Sequence, residues 1–156
     1  MYSQPLAYLL TFSCYGTWLH GNERGSVDKD HCKYGTEFVP VDAERERNEF
    51  LRLKHPPVVL DSIQRENATG AIQELCSRRQ WNLYEINVRT NHAHIVIEAK
   101  NDPKRMLSGV KAAATKQLRE AGLFAATATI WTRGGSRRYL WKEDDVQAAK
   151  RYVREQ

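Results

Sequence analysis

Two alternating runs joined by one short turn occupy the middle of this 156-residue chain. Trp81 to Arg89 alternates, with Leu83 and then Ile86 and Val88 in phase. Asn91 falls in the turn, and His92-Ala93-His94-Ile95-Val96-Ile97 follows. Period-two alternation rich in β-branched residues predicts two hairpin-connected strands. Side chains alternate across a strand, so His92 and His94 share one face, and Ala93, Ile95 and Ile97 share the other. Two imidazoles on one strand face make up part of a metal-ligand set. Taken alone, such a pair is more often packed or solvated than ligating.

The flanking segments limit the fold. Leu6 to Tyr15 alternates Tyr8, Leu10 and Phe12 against Leu9, Thr11 and Ser13, which predicts a strand. Asp61 with Gln64 three residues on reads as a capping box. It opens a helix with Ala68, Ala71, Ile72, Leu75 and Cys76 on its apolar face and Arg78-Arg79 at its end. Asp102-Pro103 starts a second helix with Met106, Val110, Ala113, Ala114 and Leu118 inward, and Gly122 stops it. Ile130 to Trp141 reads as a hairpin around Gly134-Gly135. A last helix runs from about Glu143, its acidic start and basic end complementing the helix dipole. This order predicts an α+β ferredoxin-like (RRM-like) sandwich, with helices on one face of an antiparallel sheet and the other face open to a ligand. A single domain over 1–156 is expected, with residues 21–57 as a loop-rich insertion holding one short helix.

Composition narrows the partner. Net charge is +5, but residues 100–156 carry +7 and residues 1–99 carry −2. Such asymmetry suits a polyanion such as nucleic acid, and equally a solvated basic surface. Three widely spaced cysteines, Cys14, Cys32 and Cys76, argue for a reducing cytoplasm and against a disulfide scaffold or a Cys-rich zinc site. No apolar run of membrane length occurs, and Met1 to Pro5 does not begin like a secretory signal.

On the last helix, Tyr152 and Gln156 lie four residues apart on one face. The apolar stripe is Val146, Ala149 and Val153, and Tyr152 lies about 90° from its centre. Tyr152 is therefore either a tyrosine at the core margin or a side chain presented at the sheet surface. From the helix alone the first reading is favoured.

Four segments in this order resemble the single-tyrosine HUH transposases, the family that includes REP-associated tyrosine transposases. They are Leu10 through Leu19, His92-Ala93-His94, Trp131 through Ser136, and Tyr152 with Gln156. The resemblance spans nearly the whole chain and implies a bacterial, cytoplasmic, nucleoid-associated protein. It implies that Tyr152 is the nucleophile and that His92, His94 and Gln156 hold a divalent ion, Mg²⁺ or Mn²⁺. It implies cleavage and rejoining of single-stranded DNA beside a hairpin through a 5′-phosphotyrosine. It leaves monomer or homodimer open.

Arg78, Arg79, Lys111, Lys116, Arg133, Arg137 and Arg138 are the candidate DNA contacts. Trp18, Trp81, Trp131 and Trp141 could stack on bases, with Trp81 and Trp141 expected in the core because they sit in strand patterns. A non-catalytic single-stranded DNA or RNA binding module, and a metal-dependent nuclease using water, are the competing readings.

Overall fold

The computed structural model describes residues 4–17, 43–53 and 55–156. Cys32, Trp18 and most of the predicted insertion lie outside the described residues. The elements run β1 (Ala7–Ser13), α1 (Ala43–Leu51), α2 (Ser62–Arg79), β2 (Asn82–Val88), β3 (His92–Glu98), α3 (Pro103–Glu120), β4 (Ser136–Leu140) and α4 (Glu143–Glu155). The strands form one antiparallel sheet in the order β2-β3-β1-β4. With two of the helices on one face, this is the expected ferredoxin-like order. The expected short helix before Pro57 is α1.

The local signals act as predicted. Asp61 accepts the Gln64 backbone N–H at 2.8 Å, and the Gln64 side chain accepts the Asp61 N–H at 2.9 Å. Pro103 is the first residue of α3, and Gly122 takes a left-handed φ of 72° just past its end. Arg89, Thr90 and Asn91 link β2 to β3, with Arg89 donating its N–H to the His92 carbonyl at 2.7 Å.

Apolar residues fill both sheet faces. Tyr8, Leu10, Phe12, Ala93, Ile95 and Ile97 pack against Ala68, Ile72 and Leu75 of α2 and Met106, Val110 and Leu118 of α3. On the opposite face, Leu9, Val96 and Leu140 meet Val146, Ala149 and Val153, the predicted stripe of α4. The second face is thus partly roofed by α4 instead of standing open.

The hairpin expected at Gly134-Gly135 does not form. Trp131 bridges Cys14, and Ser136 to Leu140 pairs with Thr11 back to Ala7, so both segments follow the same edge of β1. The glycines make an irregular step between them. Gly135 has φ 148°, and a Cβ there would lie 2.6 Å from the Thr11 carbonyl oxygen and 3.0 Å from Leu107 Cδ2. Gly134 has φ 79° and open space around it. Gly135→Ala should therefore cost about 3 kcal/mol, and Gly134→Ala about 1 kcal/mol, in urea denaturation. Equal losses would mean that the close approach of Gly135 to β1 has no energetic weight.

Two tryptophans exchange their expected places. Trp131, expected to be available for stacking, is buried edge-on against Phe12 at 4.9 Å, with Nε1 donating to Thr115 Oγ1 at 3.0 Å. Trp141, expected in the core, is 39% exposed because it lies just past the end of the edge strand. Trp81 is half-buried against the main core and donates to Asn101 Oδ1.

Candidate active site

The face beneath α4 brings β1, β3 and α4 together at His94. Register pairs Thr11 with His94 across β1–β3, and Asn87 with His94 across β2–β3. Thr11 Oγ1 and His94 Nδ1 share a hydrogen bond of 2.8 Å. His92 Nδ1 contacts Asn91 Oδ1 at 2.7 Å. An amide oxygen only accepts, so this contact places the His92 proton on Nδ1 and the lone pair on Nε2. The two imidazole centroids are 4.8 Å apart. The Tyr152 ring approaches His94 edge-on at 5.2 Å, although Tyr152 itself is 46% exposed. Tyr152 thus stands at the margin of the α4 face, partly in solvent and next to the buried His94 ring.

His94 is 3% exposed. Burial, reinforced by His92 and by the Arg138 and Arg89 guanidiniums, pushes its imidazole down to about 4. A neutral imidazole is the form that ligates a metal. The same shift gives a stability prediction. The unfolded chain takes up a proton near pH 6.5, whereas folded His94 resists it to about 4. The stability is fully present above pH 6.5 and is lost as pH falls toward 4, by about 3 kcal/mol. Urea melts of chelator-treated protein between pH 7.5 and 4.5 should show this decline. An undiminished decline in His94→Gln would assign it to another group.

The C-terminal turn of α4 is tied to β2. Asn87 Nδ2 donates to the Val153 and Gln156 carbonyls at 2.9 and 3.2 Å, and Arg89 donates to the Gln156 carbonyl at 2.6 Å. Arg154 pairs with Glu85 at 2.9 Å. These contacts hold the turn that carries Tyr152 against the strand beside the histidines. Sequence reading missed Thr11, Asn87 and Arg89. The latter two could have been found by counting back through the two-residue turn, which sets Arg89 opposite His92.

The donor set fits a metal in part. Among the described residues, no third His, Cys, Asp or Glu joins the pair to form a metal cluster. Among the described residues, a third protein ligand is left to a neutral oxygen donor such as the Gln156 amide. The structure brings the Gln156 main chain to β2, with its side chain exposed.

The candidate DNA contacts divide by position. Arg138 lies opposite Leu9 on the face of the histidines and acts on His94. Arg137 is its neighbour on β4, and Arg133 is exposed beside the glycine step. Arg78, Arg79 and Lys116 belong to the helices on the other sheet face, where Arg78 pairs with Glu74 and Lys116 with Glu120. Lys111 departs from its expected role. Its ammonium donates to the Thr132 and Gly134 carbonyls at 2.7 and 2.8 Å, and burial lowers its pKa. It fastens the segment around Arg133 to α3, and two of its three protons are committed there. Cys14 and Cys76 are buried free thiols pushed up to about 12 and 11, so neither is a nucleophile.

Residues 51–156 match the family model described as "Transposase IS200 like". The chain belongs to the IS200-like transposase family. This transposase also resembles solved structures across nearly its whole length. A REP-associated tyrosine transposase bound to a REP hairpin aligns with TM-score 0.54 and 14% identity, covering 98% of this chain and 67% of that one. A putative transposase from Deinococcus radiodurans R1 aligns with TM-score 0.51 and 12% identity, covering 99% and 93%. At these identities the likeness is one of fold. No curated protein matches the sequence. The family match begins after β1, so Thr11, which fixes the His94 ring, lies outside the matched segment. Among the described residues, no helix is long and apolar enough to cross a membrane.

Proposed function

We propose that this transposase cleaves and rejoins single-stranded DNA beside a hairpin through a 5′-phosphotyrosine on Tyr152. The observation that carries this reading is the edge-on approach of an accessible tyrosine to a buried, neutral histidine on the His92-Ala93-His94 strand. The REP hairpin of the structurally similar transposase supports the choice of DNA partner.

His92 and His94 would bind a divalent ion, Mg²⁺ or Mn²⁺, through their Nε2 atoms, with the Gln156 amide oxygen as third ligand. Such an ion supplies Lewis-acid polarisation of the scissile phosphate. Thr11 and Asn91 orient the imidazoles by holding Nδ1, as partners of metal-bound histidines do. Tyr152 Oη attacks phosphorus and loses its proton, and the departing 3′ oxygen gains one. The phosphotyrosine retains the bond energy, so resealing needs no nucleotide cofactor. Arg138 and Arg89, which flank His94 from opposite edges of the sheet, add positive charge where the phosphorane charge develops. Arg133 and Arg137 contact the incoming strand, while Arg78, Arg79 and Lys116 contact backbone on the far side of the sheet.

The test is a covalent adduct. Incubating the protein with pooled hairpin-bearing single strands and Mn²⁺ should give a slower band on a denaturing gel, together with a free 3′-hydroxyl fragment. Binding without adduct under every divalent metal would instead identify a non-catalytic module.

A further inference from the structure

We propose that the cavity between β4, the start of α3 and α4 is a subsite for one unpaired nucleobase next to the cleaved phosphate, selective for bases bearing an exocyclic amino group. The proposal deepens the assignment of Tyr152 as nucleophile and rests on it. The cavity measures about 920 Å³, within the usual range for small-ligand sites. Its walls include Tyr152 and Arg138 but neither histidine, so Tyr152 is the boundary between the cavity and the histidine pair.

The chemistry of the walls favours a base over a phosphate. Leu9, Leu140 and Ala149 provide an apolar lining. Trp141 and Tyr139, with centroids 6.1 Å apart, put exposed rings at the open edge of β4. Asp145 and Tyr152, seven residues and so two turns apart on α4, face it from one side of the helix. A carboxylate repels a phosphate but accepts hydrogen bonds from the amino groups of cytosine, adenine or guanine; thymine has none to offer. Asp102, on the opposite wall, caps α3 through the Lys104 N–H at 3.0 Å, whereas Asp145 shares α4 with Tyr152, which makes Asp145 the reading group beside the nucleophile. Arg138, exposed and shared with the catalytic face, is placed to hold the adjoining phosphate. The cavity thus joins a stacking surface, an amino-group acceptor and the nucleophile.

The experiment uses a hairpin-bearing strand recovered from a pool by binding, remade with each of the four bases at every position of its unpaired flank. Affinity is measured with Tyr152→Phe protein to avoid turnover, and adduct formation with wild type. One flanking position should disfavour thymine by roughly tenfold. Adding Trp141→Ala should weaken binding by roughly tenfold and shrink that preference. Adding Asp145→Asn, whose amide can donate to a thymine carbonyl, should remove it. Trp141 is exposed, so the fold does not depend on it. No base preference at any position, or a preference unchanged by Trp141→Ala and Asp145→Asn, overturns the subsite even if adduct forms. A Trp141-dependent preference without wild-type adduct keeps the subsite and overturns the nucleophile instead.

Discussion

Tyr152→Phe should abolish the covalent adduct while leaving the fold and DNA affinity intact. The substitution removes one oxygen and keeps the ring that meets His94 edge-on at 5.2 Å. The residue is 46% exposed, so no buried hydroxyl loses a partner and stability should move by less than about 0.5 kcal/mol. Loss of a nucleophile should lower single-turnover cleavage by roughly 10³-fold or more. Among the described tyrosines, the others are poorly suited to replace it, Tyr15 being stacked on His55 at 4.2 Å and packed against the main core. Tyr84 donates to Glu98, and this bond, with burial, pushes its phenol up to about 12. Tyr8 is buried under Tyr139, and Tyr139 lies on the edge strand away from the histidine pair. An adduct that persists in Tyr152→Phe therefore refutes the assignment. Cleavage that persists without any adduct points to water as the attacking group.

How far the sequence carried this reading depended on the range of each contact. The stripe of α4, the capping box of α2 and the hairpin around Asn91 are set by neighbours within a few residues, and each formed as its pattern implied. Gly134-Gly135 misled because local chemistry does not separate a chain reversal from a step in a continuing strand. What decided it was pairing with β1, more than a hundred residues away, where Cys14 meets Trp131 and Thr11 meets Ser136. The exchange of Trp131 and Trp141 follows from the same error. A hairpin would have put Trp141 in a paired strand, whereas the actual path buries Trp131 on Phe12 and leaves Trp141 at the rim. In the site, the histidine pair and Tyr152 were visible as residues. The Thr11–His94 bond spans 83 positions and depends on β1 entering the middle of the sheet, which no local pattern encodes. Lys111 looked like surface charge because its two carbonyl partners belong to the segment that was misassigned.

His92→Ala should remove metal-dependent cleavage with little cost to the fold, and it separates the metal's role from that of the tyrosine. His92 is partly exposed, with its Nδ1 on adjacent Asn91 and its ring edge-on to His94, so truncation opens no deeply buried cavity. His94→Ala is less clean. It strands the Thr11 hydroxyl and opens a cavity beneath α4, which together should cost a few kcal/mol. His92→Ala should lower Mn²⁺-supported cleavage by roughly 10²-fold or more, matching the effect of losing a ligand or its support. Mn²⁺ affinity, read by calorimetry without DNA, should fall in parallel. Hairpin binding in the presence of chelator should be unchanged, because phosphate contacts come from arginines on other elements. Cleavage by wild type that survives chelation, or that is equal in His92→Ala, would leave the histidines as packing for α4. If both His92→Ala and Tyr152→Phe lose cleavage but only His92→Ala loses Mn²⁺, the two residues hold distinct roles. The strand then supplies the ligands and the helix the nucleophile, with Asn87 of β2 and Arg89 just past its end holding the two in register.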